Sequence, residues 1–435
     1  MTLKLSAQPA SFSAKKRPST SLPRPRKSFF ARYQILVLGA ALAAIFSNLP
    51  IYIYILNPKL LPKYFFFGIF VLLAPLVLLK LRSFSAYLAS PFVVWAGLFL
   101  VLNLVHLTSL SIGGGWGDTY IIDNQNEARQ SLIATRIQYI LFSILLGFAA
   151  YASGHRDYLY PVAVLMVLVP CAVIVDFARP GFFYPLDTEG MVLGRAAATF
   201  INPTMAGEAI LLVFLMGCAV TSARYRVPLF FLAGAAVIVT FSRSSIIAWV
   251  LLLLILSFKR SLPKSALMTA LAVFGLGLTL LGSVEAYLQS RQDLEAASSN
   301  ILSRLDFFFD MKFDDDSSEE RADVIRAGWE LFLQNPVFGA GAGATQFWSQ
   351  HASTHNQLLL LAAEYGMFGV GLWIWLLLIL WKGTFFAEKG LRAATVFLFI
   401  FMTLFTHQMF DSATYWLASF ALISLRKIEA FDHRP

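Results

Sequence analysis

His355 is the residue of this sequence best suited to move a proton, and Arg195 and Arg243 are those best suited to hold an anion. His355 follows Ser353 and Thr354, either of which can cap the apolar helix that starts here and so place the imidazole in its first turn. There the positive end of the helix dipole favours the neutral ring, the form a general base needs. Asn356 beside it is a candidate to orient the base or meet an acceptor. A histidine next to an asparagine is more often structural than catalytic, so the assignment needs partners. Glu364, nine residues on, is about two and a half turns away and faces elsewhere. His407 and Asp411, at i and i+4 on the end of another apolar run, are better candidates to reach the same pocket. His351 and His355 have the spacing of a metal pair, but no third ligand stands at a compelling distance, and no metal or cofactor is expected.

The arginines have distinct settings. Arg243 lies in VTFSRSSIIAW, one guanidinium among small hydroxyl residues between two apolar runs. Arg195 lies in GMVLGRAAATFINPTMAGEAI, where Asn202 and Pro203 open the next run. An arginine at the edge of the hydrocarbon costs about 2.5 to 3.5 kcal/mol on the insertion scale and usually faces a polar cavity; taken singly, each fits snorkelling to head groups equally well. A planar fork of donors that keeps its charge suits a diphosphate, and Arg195 and Arg243 together read as a site for a phosphorylated lipid. Arg321 opens RADVIRAGWELFLQNP, where Ile325, Trp329 and Phe332 recur at i, i+4 and i+7, an amphipathic helix lying on the membrane face.

The elements that must position these groups are membrane helices. With 58% hydrophobic residues and a mean hydropathy of +0.67, the chain is polytopic and all-α. About twelve spans are expected, near 33–50, 64–79, 91–110, 135–152, 158–177, 200–222, 227–241, 244–258, 265–283, 366–381, 393–409 and 412–425, the pair around Arg243 being also readable as one broken helix. Of the net charge of +9, eight positive charges sit in the first 32 residues, a disordered basic tail with no acid, so the charge reads as an orientation signal and not as nucleic-acid binding. With that tail cytoplasmic, 22 of the 34 Lys and Arg fall on one side, both termini lie there, and the spans are even in number. The bundle is then 33–283, a large outer loop covers 284–353 with its approach to 365, the last spans lie within 366–425, and a short tail closes at 426–435. Cys171 and Cys218 fall inside apolar runs as buried small hydrophobes. Gly339, Gly341 and Gly343 follow a helix and a proline, lack the lysine-threonine ending of a nucleotide loop, and read as turn formers. The acids around Asp314 to Glu320 lack calcium-loop spacing and read as solvated charge.

These residues resemble the bacterial O-antigen ligase and polymerase superfamily. The resemblance covers about 190–410: Gly194-Arg195 with Asn202-Pro203, the step Thr240 to Ser244, Arg321 ahead of Pro336 to Gly341, and His355-Asn356 followed by Glu364-Tyr365-Gly366 and Gly369. It departs at Ser244, where the family often has glycine. The resemblance implies a bundle of about a dozen spans in the inner membrane, with a periplasmic loop before the third-last. It implies transfer of a glycan from undecaprenyl diphosphate to an acceptor hydroxyl without metal, His355 as general base, and Arg195, Arg243 and Arg321 on the diphosphate. The partners implied are that donor, a glycan or lipid A core acceptor, the bilayer, and flippase and chain-length regulator proteins. One base and no carboxylate nucleophile predicts inversion.

Ligase and polymerase share these motifs. Residues 284–353 carry twelve acids against five bases, a poor match for a phosphorylated lipid A core, which favours a polymerase of surface polysaccharide. A transporter or flippase of lipid-linked sugar is the competing class; it would place ionisable groups near the bilayer midplane, whereas here they gather at helix ends.

Overall fold

The computed structural model describes residues 29–112, 125–153, 156–192, 194–266, 268–269, 272, 316–350, 353–383, 385–386, 388–407 and 409–425, with 316–320 in backbone only. The basic tail up to residue 28, most of the expected span 265–283, the loop from 284 to 315, His351 and the tail 426–435 lie outside the described residues.

Among the described residues the fold is helical. In chain order the α-helices are α1 (Phe29–Phe46), α2 (Leu49–Leu56), α3 (Pro62–Leu79), α4 (Leu81–Leu88), α5 (Pro91–Ser111), α6 (Asn126–Ser153), α7 (Tyr160–Ala178), α8 (Pro203–Gly217), α9 (Ala223–Val239), α10 (Arg243–Phe258), α11 (Asp316–Gln334), α12 (Gln357–Lys382), α13 (Lys389–Thr403) and α14 (Thr414–Ile423). Local chemistry sets several starts. Pro62, Pro91 and Pro203 stand in first turns, where their missing N–H is no loss, and Asn202 caps α8 by accepting from the Thr204 N–H at 2.9 Å.

Six candidate spans are long and apolar enough to cross a membrane: α1, α3, α5, α6, α7 with the turn before it, and α12. The apolar helices α8, α10 and α14 are shorter, so the described residues supply six candidates where about twelve spans were expected. The run expected at 33–50 stops at Phe46, and the chain restarts as α2 after Asn48, whose φ is 54°. The stretch around Arg243 is two helices, separated at Thr240–Ser242 with Phe241 at φ 48°.

α8 is the buried centre, every residue from Ala206 to Gly217 being enclosed. It packs on α7, α9, α10 and α13. Small residues make this approach possible: a Cβ on Gly207 would lie 2.3 Å from Ser245 Oγ of α10. α12 is broken at Gly366 (φ 63°, ψ −148°), so it starts nine residues before the expected boundary and turns within its length. α11 packs through Val324 and Leu331 on Ala340, Ala344, Trp348 and Ala363, and leaves Ile325, Trp329 and Leu333 exposed. The Ile325–Trp329 stripe is therefore the face that the protein leaves uncovered.

Candidate active site

Asn356, and not Ser353 or Thr354, caps α12: its side-chain oxygen accepts from the Leu359 N–H at 3.0 Å. His355 stands one residue outside the helix at φ 47°, which corrects the expected place in the first turn. Left-handed backbone costs a non-glycine residue roughly 1 to 2 kcal/mol, and persists where the surroundings hold it. Three contacts do so. The buried Thr354 donates its hydroxyl to the Asn356 carbonyl at 3.2 Å. Gly328 of α11 abuts it so closely that a Cβ there would come within 2.9 Å of Thr354 Cγ2. Gln357 Oε1 accepts from the Met409 N–H at 3.0 Å, which draws the loop after α13 to the head of α12.

That loop carries His407. Its ring meets His355 at 80° with centroids 4.9 Å apart. Burial pushes the His407 imidazole down to about 4, and His355 adds to the fall. Asp411 pulls the other way and Arg136 opposes it. His407 is thus neutral at physiological pH.

Asp411 was a candidate to orient the base, and the structure gives its carboxylate other partners. It accepts from Arg136 Nη2 at 3.1 Å, from Gln346 Nε2 at 2.9 Å and from the Ser412 N–H at 2.8 Å. Arg136 also pairs with Glu364 Oε2 at 2.5 Å and donates to Tyr365 Oη at 3.1 Å, while Tyr365 donates to Asn103 Oδ1 at 2.8 Å. Arg136 and Glu364 are fully enclosed. Glu364 thus has its partners in Arg136 and Thr345.

This network clamps the glycine turn. Ala340 and Gly341 donate their N–H groups to the carbonyls of Ala363 and Glu364 at 2.8 and 3.1 Å. The Ala342 N–H goes to His106 Nδ1 at 2.9 Å, Arg129 donates to the Ala342 carbonyl, and the Thr345 hydroxyl donates to Glu364 Oε1 at 2.9 Å. Gly339, Gly341 and Gly343 have φ of 74°, 94° and 79°. A Cβ on Gly339 would sit 2.3 Å from the Glu364 carbonyl carbon. The glycines turn the chain onto α12, and the N–H groups of Gly339 to Ala342 are already bonded and so not offered to a phosphate.

Arg195 and Arg243 converge on one turn. Arg195 Nε donates to the Thr240 carbonyl at 3.0 Å, and the Ala196 N–H to the Val239 carbonyl at 3.2 Å. Three residues on, Arg243 is the first residue of α10. Its setting is the expected hydroxyl cluster: Ser242 Oγ lies 3.3 Å from Ser244 Oγ, 3.0 Å from Ser245 Oγ and 3.5 Å from Thr204 Oγ1. Ser244, the departure from the family pattern, joins that cluster. Arg321 is exposed in the early turns of α11, seven residues and about 10 Å along the axis from the Gly328 contact with Thr354.

Sequence reasoning missed two carboxylates. Glu208 of α8 is fully enclosed and accepts from Tyr415 Oη at 3.0 Å and Trp416 Nε1 at 2.9 Å, joining the Arg243 side of the bundle to α14. Asp176, near the end of α7, accepts two peptide N–H groups of the Arg195 loop. The available signal was an acid inside an otherwise apolar run, which by default has a partner or a task.

No curated protein matches the chain. Residues 228–374 match the family model described as O-antigen ligase, a segment that holds Arg243, Arg321, His355 and Asn356 and leaves Arg195, His407 and Asp411 outside it. Over this segment, about a third of the chain, the protein is similar to the O-antigen ligase family.

Proposed function

We propose that the protein is a membrane glycosyltransferase that moves a glycan from undecaprenyl diphosphate to an acceptor sugar hydroxyl, on the periplasmic side of the bacterial inner membrane, and that the acceptor is a growing polysaccharide. The family supports a lipid-linked glycan donor, an acceptor and a membrane setting. The observation that carries the mechanism is His355 held in a left-handed turn against a neutral histidine. A neutral neighbour leaves His355 free of a second positive charge when it takes a proton.

In this reading the acceptor oxygen attacks the anomeric carbon while its proton passes to the His355 imidazole. The bond from that carbon to the diphosphate oxygen breaks, and the lipid diphosphate departs as an anion. Arg195 and Arg243, joined at one turn, neutralise the developing charge, with Arg321 approaching along α11; a positioned base contributes about 10²- to 10⁴-fold and a preorganised donor about 10²- to 10³-fold. A single displacement inverts the anomeric centre. The choice of polymer over lipid A core rests on the acidity of 284–353, most of which lies outside the described residues.

The test is an assay of the purified protein in nanodiscs with undecaprenyl-diphosphate glycan, in EDTA. Extended lipid-linked glycan is expected, at least 100-fold slower in His355→Ala. Glycan on lipid A core would make it a ligase, movement without covalent change a transporter, and full activity of His355→Ala would remove the base. Arg243→Lys and Arg321→Lys should weaken donor use, because a point charge lacks the fork.

A further inference from the structure

We propose that Asp176 is a positioning residue for the donor, acting through Arg195; the claim rests on Arg195 holding the diphosphate. Asp176 is buried near the C-terminal end of α7, and its Oδ2 accepts from the N–H groups of Ala197 and Ala198 at 2.9 and 2.8 Å. These are the second and third residues after Arg195. From the opposite side, the end of α9 takes the Ala196 N–H on Val239 and Arg195 Nε on Thr240. Arg195 is therefore held between two anchors on different helices, and Asp176 supplies one of them.

The stretch cannot hold this shape unaided. It contains only a three-residue turn, Ala198–Phe200, and Ala198 and Ile201 have φ of 47° and 57°, values that side-chain-bearing residues rarely adopt. Hydrogen bonds to a carboxylate are about twice as strong as neutral ones, so the Asp176 pair is a firm tie on this loop. A carboxylate is otherwise an unwelcome neighbour for a bound diphosphate. Two peptide donors on the same oxygen disperse its charge, and the backbone they fix points the guanidinium.

Because both bonds end on one oxygen, an amide oxygen at this position can accept both. Asp176→Ala, Asp176→Asn, Arg195→Ala and the double variant D176A/R195A are compared in the full-length protein in nanodiscs, with donor and acceptor varied separately. D176A should raise the donor KM about tenfold with kcat and acceptor KM within about twofold, D176N should restore most of the loss, and D176A should add nothing in the R195A background. Equal losses on donor, acceptor and kcat, no rescue by D176N, or multiplicative losses in the double variant would each overturn the proposal. If R195A itself leaves the donor KM unchanged, the diphosphate reading of Arg195 fails. If R195A raises it and D176A does not, only the role of Asp176 falls. Should D176A not be recovered as monodisperse protein, Asp176→Ser, whose hydroxyl stops short of the two N–H groups, carries the same comparison.

Discussion

The rings of His355 and His407 stand at 80° with centroids 4.9 Å apart, so a charge placed on either is felt by the other. This pair joins the head of α12 to the loop between α13 and α14, which are otherwise tied there by the Gln357–Met409 bond. The site is thus as dependent on this loop as on the helix.

Acid should act on the protein through His407. Its folded value is about 4 against 6.5 for the free side chain. Between those values the unfolded chain is protonated and the folded one is not. Stability is intact above about pH 6.5 and declines as pH falls toward 4, by up to ~3 kcal/mol. Thermal unfolding in nanodiscs at pH 7.5 and pH 5 measures this, and His407→Phe should flatten the difference. An unchanged pH slope in that variant would contradict the assignment.

Asn356 can be assigned by comparing two substitutions. Asn356→Ala should lose about 1 kcal/mol as the α12 cap disappears, whereas Asn356→Asp, an equally good cap, should keep stability and activity. If the aspartate variant is stable yet inactive, the amide itself meets the acceptor.

Arg136 should be structural and indispensable. Arg136→Met leaves Glu364 and Asp411 without their cation in an enclosed space, a loss of about 3 to 5 kcal/mol. Adding Glu364→Leu and Asp411→Asn should recover much of it. Chemical or thermal denaturation decides, and a triple variant no better than Arg136→Met would show that packing, not charge, is lost.

The glycines of α12 should separate sharply. Gly366→Ala would place its Cβ 2.3 Å from the Val337 carbonyl oxygen at a φ of 63°, and is expected to unfold the turn. Gly371→Ala meets nothing within 4 Å and should be neutral or stabilising by up to about 1 kcal/mol. Expression and monodispersity of the two variants suffice to compare them.

How much of this was legible follows from what a linear pattern can carry. Apolar runs located most helices, Asn202-Pro203 marked the start of α8, and the hydroxyl setting of Arg243 was apparent from five adjacent residues. The turn role of Gly339 to Gly343 followed from their context. Pairings across the bundle left no such trace: Arg136 finds Glu364 and Asp411 from 228 and 275 residues away, and His106 finds Ala342 from 236. The cap was misplaced by two or three residues because Ser353, Thr354 and Asn356 are all competent caps, and the fold of the loop before them made the choice.

The break at Gly366 also separates two unlike lengths of α12. The sixteen residues after it rise about 24 Å, short of the ~30 Å hydrocarbon thickness, and the first pair, Met367 and Phe368, are exposed on the apolar exterior. The part before the break, Leu359 to Gly366, is wholly enclosed by protein. Bending at this point divides α12 into a head held on all sides by protein and a shank with an uncovered flank, so the bundle, and not the apolar length of the helix, fixes where His355 stands.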